Sequence, residues 1–458
     1  MTRQMKLIGF LQAQNCSNYP ASWRHPQSKP NWYSREYYEE IGRTLERGKF
    51  HLAFFDDRLA IPDRYGNDVS ATLRHGIRAA KLDPVAAALT LGLATRHLGV
   101  GVTYSTTYYE PFHVARVFAT MDLLLQGRAA WNVVTSLNDS EAANFGAAGH
   151  LGHDLRYDRA DEFMEVVLGH WDTWEDDAIV FDRAAGVFAD PAKVTSLNHS
   201  GKFFKSRGPF TVPRSPQGHP VIIQAGQSGR GREFASRWGE LIFVIYPNLA
   251  VAKKQYADFK RMLTEKGRRP VSIAPAVYPV VAETQAEAED KFALVDHLAQ
   301  QIDSLALLSE ALNFDFASKP MDEPFTNDEL KAISGLQAIR DRVVQLSGKL
   351  NPTVRDFVHF SGRGTLREMP TFVGSPSQVA DQLEEWFCGG ACDGFVVAAT
   401  HVPGTYDDFV RLVVPELQRR GLFHSDYEGS TLRENLGLAK PQLERRSEQE
   451  RETQSAVR

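Results

Sequence analysis

Short apolar runs, rich in β-branched and aromatic residues, alternate with longer amphipathic segments along most of the chain. The apolar runs predict strands buried on both faces, because apolar side chains continue through each run instead of alternating with polar ones. The amphipathic segments predict helices, since their apolar residues recur three and four positions apart, as Phe163 and Val167 do. The strands are predicted at residues 6–13, 51–57, 98–105, 129–135, 221–225, 241–246, 271–281 and 394–398. The helices are predicted at residues 34–48, from 84 onward, 111–126, 157–174, 228–238, 250–266, 375–388 and 406–420.

Eight strand–helix units predict the α/β class and a closed (β/α)8 TIM barrel, with an open doubly wound sheet as the alternative. Two polar stretches interrupt the alternation, at about residues 175–219 after the fourth strand and 313–370 after the seventh. We expect short hairpins in the first and a lid or inserted subdomain in the second. Residues 1–438 then form one domain, and the Glu-, Arg-, Gln- and Ser-rich tail at 439–458 is expected to be disordered.

Composition narrows the class of function. The 458 residues are 43% hydrophobic and 24% charged, as in ordinary globular enzymes. A net charge of −5 creates no positive field that would attract nucleic acid or an acidic membrane surface. No apolar run reaches the roughly 18 residues of a membrane crossing, the first residues lack a signal-peptide pattern, and three cysteines are too few for a disulfide framework. We therefore expect a cytoplasmic protein that binds neither nucleic acid nor membrane.

Candidate chemistry is expected at the carboxyl ends of the strands, where barrels of this kind carry their active sites. Polar residues at those ends are therefore the first to consider as catalytic or binding groups. They are Asp56, Asp57, Thr103, Ser105, Asn132, Thr135, His150, His153, Tyr157, Gln224, Gln227 and Ser228.

The segment from Gln224 to Arg232, with the sequence QAGQSGRGR, joins the fifth strand to the next helix. Gly226 and Gly229 permit a ligand to approach the backbone closely, and the free N–H groups at the helix start favour a phosphate. A plain strand-to-helix turn capped by Ser228 is the other interpretation.

His153 and Tyr157 lie four residues apart at the start of a predicted helix. They either point together into the barrel mouth, or His153 merely caps the helix. His150 and His153 have the spacing of a metal-binding pair, but no cysteine or glutamate completes a zinc set at the usual spacing. No metal site is therefore predicted.

Several segments carry a more specific signal. They are Gly127-Arg-Ala-Ala-Trp-Asn-Val-Val-Thr-Ser136 with Asn144-Phe-Gly146, and residues 43–48, 157–163, 220–226, 372–374, 414–421 and 431–437. Together they resemble one branch of the bacterial-luciferase-like flavin monooxygenases. That branch contains nitrilotriacetate monooxygenase component A, pristinamycin IIA synthase and dibenzothiophene-sulfone monooxygenase.

The resemblance implies a barrel enzyme that uses reduced FMN as a co-substrate, supplied by a separate NAD(P)H-dependent flavin reductase. Dioxygen would react with the reduced flavin to give a C4a-(hydro)peroxyflavin, and one oxygen atom would pass to an organic substrate. The resemblance also implies a homodimer or a dimer of dimers. Matched position by position, it implies flavin contacts from Asp57, Thr103, Asn132, His153, Tyr157 and Ser228.

Aromatic residues near the strand ends, among them Phe55, Tyr104, Phe243 and Tyr246, favour an apolar aromatic substrate such as a sulfone, thioether or halogenated ring. Packing in the core is their alternative role. An aminopolycarboxylate such as nitrilotriacetate would need a dense cationic pocket, and the sequence points to none. The other functions left open are a deazaflavin-dependent dehydrogenase, a non-catalytic flavin-binding protein and a sugar-phosphate enzyme on the same barrel.

This sequence departs from the resembled family in one residue that could act as the catalytic acid or base. Some sulfone-cleaving members of the resembled family place a histidine in the insertion after the seventh strand. Here no histidine occurs between His297 and His359. The catalytic residue is therefore left unassigned.

Overall fold

The main architectural feature is a closed ring of parallel strands. The computed structural model describes residues 3–150, 152–226, 229–268 and 271–443. Within these ranges, eight strands pair in parallel in chain order, and the last pairs with the first. This confirms the predicted (β/α)8 barrel over the open sheet. The barrel strands are β1 (Lys6–Gln12), β2 (Leu52–Asp56), β3 (Gly99–Ser105), β4 (Ala129–Val134), β5 (Val221–Gln224), β6 (Leu241–Val244), β7 (Ser272–Val281) and β8 (Gly394–Ala398).

Helices follow the strands, and local capping explains where several of them begin. Ser34 accepts a hydrogen bond from the backbone N–H of Tyr37, and Asp83 accepts one from that of Val85. The helices are α1 (Arg35–Arg47), α2 (Ser70–His75), α3 (Pro84–Leu93), α4 (Pro111–Leu124), α5 (Asp139–Asn144), α6 (His153–Trp171), α7 (Gly229–Trp238), α8 (Leu249–Glu265), α9 (Gln285–His297), α10 (Gln301–Leu312), α11 (Asn327–Ala332), α12 (Gln337–Ser347), α13 (Val354–Ser361), α14 (Pro376–Cys388), α15 (Gly404–Asp408), α16 (Val414–Arg419) and α17 (Leu432–Leu436).

The last predicted helix, at residues 406–420, is not one continuous α-helix. A π-helical turn at Phe409–Val413 separates α15 from α16. Pro415 lies in the first turn of α16 and has no backbone N–H to donate to the preceding turn. The wider turn accommodates that missing hydrogen bond.

Side chains along each strand alternate between the barrel interior and the surrounding helices. On β1, Phe10 belongs to the interior cluster, while Leu7 and Leu11 pack in the layer between strands and helices. The rings of Phe10, Phe54 and Phe243 contact one another inside the barrel, with centroids 5.2 to 5.9 Å apart. We call these three residues the aromatic floor; on β1 and β2 the next residues on the same face toward the carboxyl ends are the polar Gln12 and Asp56.

The opposite end of the barrel is closed by the C-terminal segment. Leu432, Leu436 and Leu438 join the interior cluster, and Leu432 packs so close to Gly99 that a Cβ there would lie 2.5 Å from its Cδ1. Arg433 binds Glu240 through both guanidinium Nη atoms, at 2.7 and 2.9 Å. The side chain of Arg433 is 3% exposed, so this ion pair holds α17 against the base of the barrel.

Both predicted insertions are present. The first follows α6 and contains two hairpins, formed by Ile179–Asp182 with Val187–Ala189 and by His199–Ser200 with Lys205–Ser206. The second folds around its own small core, in which Phe316, Phe325 and Phe357 contact one another. Leu308 of α10 belongs to that core, so the inserted subdomain begins before the predicted residue 313.

A ninth strand, Thr371–Gly374, returns the chain from this subdomain and was not predicted. It pairs with the second half of β7, at Tyr278–Val281, and takes no part in closing the ring. The first half of β7 pairs with β6 and β8.

The start of the predicted tail is attached to the rest of the protein. Lys440 forms an ion pair with Asp176 at 2.8 Å, and Arg214 donates a hydrogen bond to the Pro441 carbonyl at 2.7 Å. Residues 444–458 lie outside the described residues, so their disorder stays a prediction. Across the part of the chain that the structure describes, no helix combines the length and the apolar character needed to cross a membrane.

We expect Arg433→Ala to destabilise the fold strongly, because it leaves the Glu240 carboxylate and the His219 carbonyl near the barrel base without their guanidinium partner. Breaking a buried ion pair on one side costs about 3–5 kcal/mol. Urea unfolding followed by circular dichroism measures the change. Arg419→Ala is the matched control, since that side chain is 70% exposed; equal losses in the two variants would contradict the proposed role.

Candidate functional site

A polar layer lies above the aromatic floor, at the carboxyl ends of the strands. Thr103 of β3 and Asn132 of β4 are paired in register, and the Asn132 Nδ2 donates a hydrogen bond to the Thr103 Oγ1 at 2.8 Å. Both residues are 4% exposed. The Asn132 Oδ1 has no hydrogen-bond partner in the described structure. A buried polar atom without a partner is costly, so this amide is a candidate for binding a ligand.

Gln12 belongs to the same layer but was missed as a candidate. It ends β1 opposite Asp56 and follows Phe10 by two residues, which places it on the inward face. It is 7% exposed, and neither its Oε1 nor its Nε2 has a partner within the described residues. The alternation of inward and outward side chains along β1 could have identified Gln12, because this polar residue occupies the last inward position of the strand.

Asp57 follows β2 and lines a cavity of about 500 Å³, which we call the Asp57 cavity. The carboxylate accepts a hydrogen bond from the Arg58 backbone N–H at 2.8 Å. Burial raises the pKa of Asp57 to about 7, although nearby Lys81 and that hydrogen bond act in the opposite direction. The carboxyl group is therefore partly protonated near neutral pH and can either donate or accept a proton there.

Arg78 lines the same cavity and extends the polar layer. Its Nη2 donates hydrogen bonds to the backbone carbonyl and the Oδ1 of Asn18, both at 3.0 Å. Asn18 in turn donates to the Tyr278 hydroxyl at 3.0 Å. Arg78 is 6% exposed and its Nε lacks a partner among the described residues. The chain therefore holds a buried guanidinium at the edge of the mouth, ready to donate a hydrogen bond.

The predicted phosphate turn is formed by close backbone packing. A Cβ on Gly226 would collide with the carbonyl oxygen of Gly231, and a Cβ on Gly231 would lie 2.6 Å from the Tyr157 hydroxyl oxygen. Tyr157 therefore lies against the start of α7. Ser228 lies outside the described residues. For His153 the structure gives only its place as the first residue of α6.

The four aromatic candidates for the substrate pocket separate into two groups. Phe243 faces the barrel interior as part of the aromatic floor. Phe55, Tyr104 and Tyr246 belong to the layer between strands and helices, since they occupy the other set of alternating positions. Tyr246 nevertheless lines a cavity, and Tyr104 stacks on Tyr109, which lines the Asp57 cavity, at 4.1 Å between centroids.

His150 has a partner that is not a metal. Its Nδ1 lies 2.6 Å from the Asp139 Oδ1, and Asp139 also binds Arg64 at 3.0 Å. Over the described ranges, no group of three or more histidine, cysteine, aspartate or glutamate residues is placed to hold a metal ion.

The inserted subdomain covers the mouth of the barrel. Glu310 of α10 is 1% exposed and accepts hydrogen bonds from Asn138 at 2.9 Å and Ser140 at 2.7 Å, both in the segment after β4. Arg58, which follows β2, lies 3.4 Å from the same carboxylate. One buried charge thus attaches the subdomain to two loops at the carboxyl end of the barrel, consistent with the predicted lid.

A second cavity, of about 410 Å³, lies between the barrel and the subdomain, and we call it the Arg342 cavity. Its barrel wall includes Gly226 and Tyr246, and its other wall includes Leu336 and Arg342 of the subdomain. The cavity therefore begins beside the predicted phosphate turn and continues beneath the lid.

Comparison with known proteins adds an independent finding. A family model described as luciferase-like monooxygenase matches residues 16–392. The chain is 45% identical to the dibenzothiophene-sulfone monooxygenase of Rhodococcus erythropolis, covering 96% of this chain and 98% of that protein. It is 41% identical to nitrilotriacetate monooxygenase component A of Aminobacter aminovorans, covering 96% and 97%. A riboflavin lyase solved with modified FMN and its substrate riboflavin has a TM-score of 0.86 at 32% identity, covering 96% of this chain and 97% of that one.

We expect Asp57 by itself to contribute a decline in the stability of the protein as the pH rises from about 4 to about 7. Its folded-state pKa of about 7 lies above the ordinary value of 3.8, so in this range the folded protein retains a proton that the unfolded chain releases. Asp57→Asn removes this ionisation and should flatten the decline.

Thermal melting of the two proteins at about pH 5 and about pH 8 measures the effect. Asp328→Asn is the control, because that side chain is 95% exposed. If Asp57→Asn keeps the wild-type difference between the two melting temperatures, Asp57 is not the titrating group.

Proposed function

Because the chain belongs to the luciferase-like monooxygenase family and is a flavin-dependent monooxygenase, we propose that it is the oxygenase component of a two-component system. It takes reduced FMN from a separate NAD(P)H-dependent flavin reductase, and inserts one oxygen atom of O₂ into an organic substrate. The nitrilotriacetate relative is named component A of its monooxygenase, which supports a separate reductase component for this enzyme. We expect the enzyme to act in the cytoplasm, where the reductase finds NAD(P)H, as a homodimer or a dimer of dimers.

The observation that carries the proposal is the set of unpartnered buried amide atoms at the barrel mouth. Gln12 and Asn132 present amide oxygens, and Gln12 also an amide N–H group, that lack partners in the described structure. The edge of an isoalloxazine ring carries both N–H and C=O groups, so it would satisfy these amides. Thr103 orients the Asn132 amide through their hydrogen bond.

The rest of the site fits the other parts of FMN. The turn around Gly226 and Gly231 excludes a Cβ, which brings backbone N–H groups and the start of α7 within reach of a phosphate. We propose that Ser228, His153 and Tyr157 complete the phosphate end, and that Asp57, with a pKa of about 7, lies near the ring.

When bound, reduced FMN supplies the electrons that activate dioxygen, so that one oxygen atom enters the substrate and the other leaves as water. The protein orients the ring through its amides and covers the site with the subdomain held by Glu310. Excluding water matters, because reduced flavin otherwise loses its electrons to oxygen without product. The lid role assigned to this subdomain follows from that requirement.

We propose an apolar organic substrate, such as an aromatic sulfone, thioether or halogenated ring. Support comes from the aromatic floor beneath the site and from the 45% identity with a dibenzothiophene-sulfone monooxygenase. An aminopolycarboxylate is the alternative, supported by the nitrilotriacetate relative at 41% identity.

We expect Asn132→Leu to weaken the binding of reduced FMN by about 10-fold or more, the usual effect of losing a hydrogen bond in a buried site. Because the Oδ1 of Asn132 has no partner among the described residues, the substitution loses only the hydrogen bond to Thr103 and should cost about 1 kcal/mol of folding stability. Anaerobic fluorescence titration gives the affinity, and thermal melting gives the stability. Asn327→Leu, an exposed position in α11, is the control; unchanged affinity in Asn132→Leu would contradict the assigned flavin site.

The function itself is tested by supplying a flavin reductase, NADH, FMN and ¹⁸O₂ to the purified enzyme with a panel of substrates. The panel contains aromatic sulfones, thioethers, halogenated aromatics and aminopolycarboxylates. We expect one ¹⁸O atom in the product of an apolar substrate, detected by mass spectrometry. Turnover of aminopolycarboxylates alone would overturn the substrate class, and no affinity for reduced FMN would overturn the oxygenase.

A further inference from the structure

The Arg342 cavity combines apolar walls with positive charge. Ile245, Phe259, Leu336 and Ile339 contribute apolar surface from both the barrel and the subdomain. The charged residues that line it are Arg232, Arg342, Arg363 and Glu368, which together carry a net charge of two positive units. A protein with an overall charge of −5 has thus collected positive charge at one cavity.

Arg363 and Glu368 neutralise each other, because they form an ion pair in which both side chains are nearly buried. Within the described ranges, the two remaining guanidinium groups have no carboxylate partner. Arg232 lies over the Phe259 ring, 5.2 Å from its centroid, and makes only a long contact of 3.5 Å with the Gln255 side chain. Its Nε is buried without a hydrogen-bond partner among the described residues.

Arg342 lies on α12 in the inserted subdomain and is half-buried. In the part of the chain that the structure describes, it makes neither a hydrogen bond nor an ion pair, whereas its neighbour Arg340 is bound by Asp341. Two guanidinium groups from distant parts of the sequence therefore face one mostly apolar space, and no carboxylate among the described residues neutralises them. An anionic group is the ligand that would satisfy both, since guanidinium binds carboxylates and sulfur oxyanions through paired hydrogen bonds.

We propose that the substrate of this monooxygenase carries an anionic group, a carboxylate, sulfinate or sulfonate, on an apolar body, and that Arg342 and Arg232 bind this group in the Arg342 cavity. The inference rests on the proposed function and refines its substrate class. A cavity of about 410 Å³ is large enough for a small two-ring molecule. Since Arg342 belongs to the subdomain, an anionic ligand would also hold the lid against the barrel.

The test uses a matched pair of probes, 4-phenylbenzoate and its neutral analogue 4-phenylbenzamide, with the flavin-free full-length protein. Isothermal titration calorimetry should show the acid binding about 10- to 100-fold more tightly than the amide, the value of a charge-assisted hydrogen bond. Arg342→Gln should remove this preference and leave the affinity for the amide unchanged. Unchanged affinity for the amide shows that the cavity of the variant is intact. A misfolded variant would instead lose affinity for both probes.

Lys331→Gln is the control for net charge, since Lys331 lies in the same subdomain with a side chain that is 79% exposed. It should keep the full preference for the acid. Equal affinity of the wild-type protein for acid and amide would overturn the inference, as would an equal effect of the two substitutions.

The cavity lies beside the predicted phosphate turn, so the two arginines have a second possible ligand in the phosphate of FMN. Anaerobic titration with reduced FMN and reduced riboflavin separates the two. If Arg342→Gln weakens FMN but not riboflavin, the arginine serves the cofactor and the substrate inference is wrong. If Arg342→Gln leaves the affinity for both flavins unchanged and loses the preference for the acid, the substrate inference is supported.

The proposed function can fail separately from this inference. If the protein binds no reduced flavin, the oxygenase assignment is overturned. The substrate role of the cavity then fails with it, whatever the probes show. Flavin binding and ¹⁸O incorporation with a neutral substrate, without any preference for the acid, would keep the oxygenase and overturn only the anionic substrate.

Discussion

In a closed ring of eight parallel strands, the helices pack on the outside. They therefore cannot cover the layer of inward-facing side chains at the carboxyl ends of the strands. Below this layer the interior is filled by apolar groups, ending at the aromatic floor of Phe10, Phe54 and Phe243. In the layer itself, Gln12 and Asn132 keep polar atoms that have no partners in the part of the chain that the structure describes. Such atoms are tolerated where a ligand supplies the missing hydrogen bonds. The position of the flavin in our proposal follows from this constraint more directly than from any single residue.

The inserted subdomain covers this layer of side chains from outside the ring. It has its own core, and Leu366 and Met369 of the insertion also join the cluster inside the barrel. A polar attachment is added where Glu310 binds groups from the loops after β2 and β4. This arrangement suits a site that must admit two molecules and then exclude water.

The sequence predicted the eight barrel strands and their order, because strands buried on both faces leave continuous apolar runs. It did not predict the outer strand Thr371–Gly374, which is only four residues long and follows a polar insertion. It grouped Phe55 with Phe243 as pocket residues, although they face opposite sides of the sheet. Nearness to a strand end is visible in a sequence, but the inward or outward face depends on register. The partnership of Arg232 with Arg342 was invisible for a similar reason, since only the fold brings these segments together.

The pairing of β1 with β8 has a consequence for how the protein is made. On the ribosome, β1 emerges almost 400 residues before its partner at Gly394–Ala398. Until then β1 is an unpaired edge, and the interior leucines of α17 are not yet available to seal the base. Nascent chains of this protein therefore expose an unpaired strand edge until β8 has emerged, and such edges are prone to aggregation during translation.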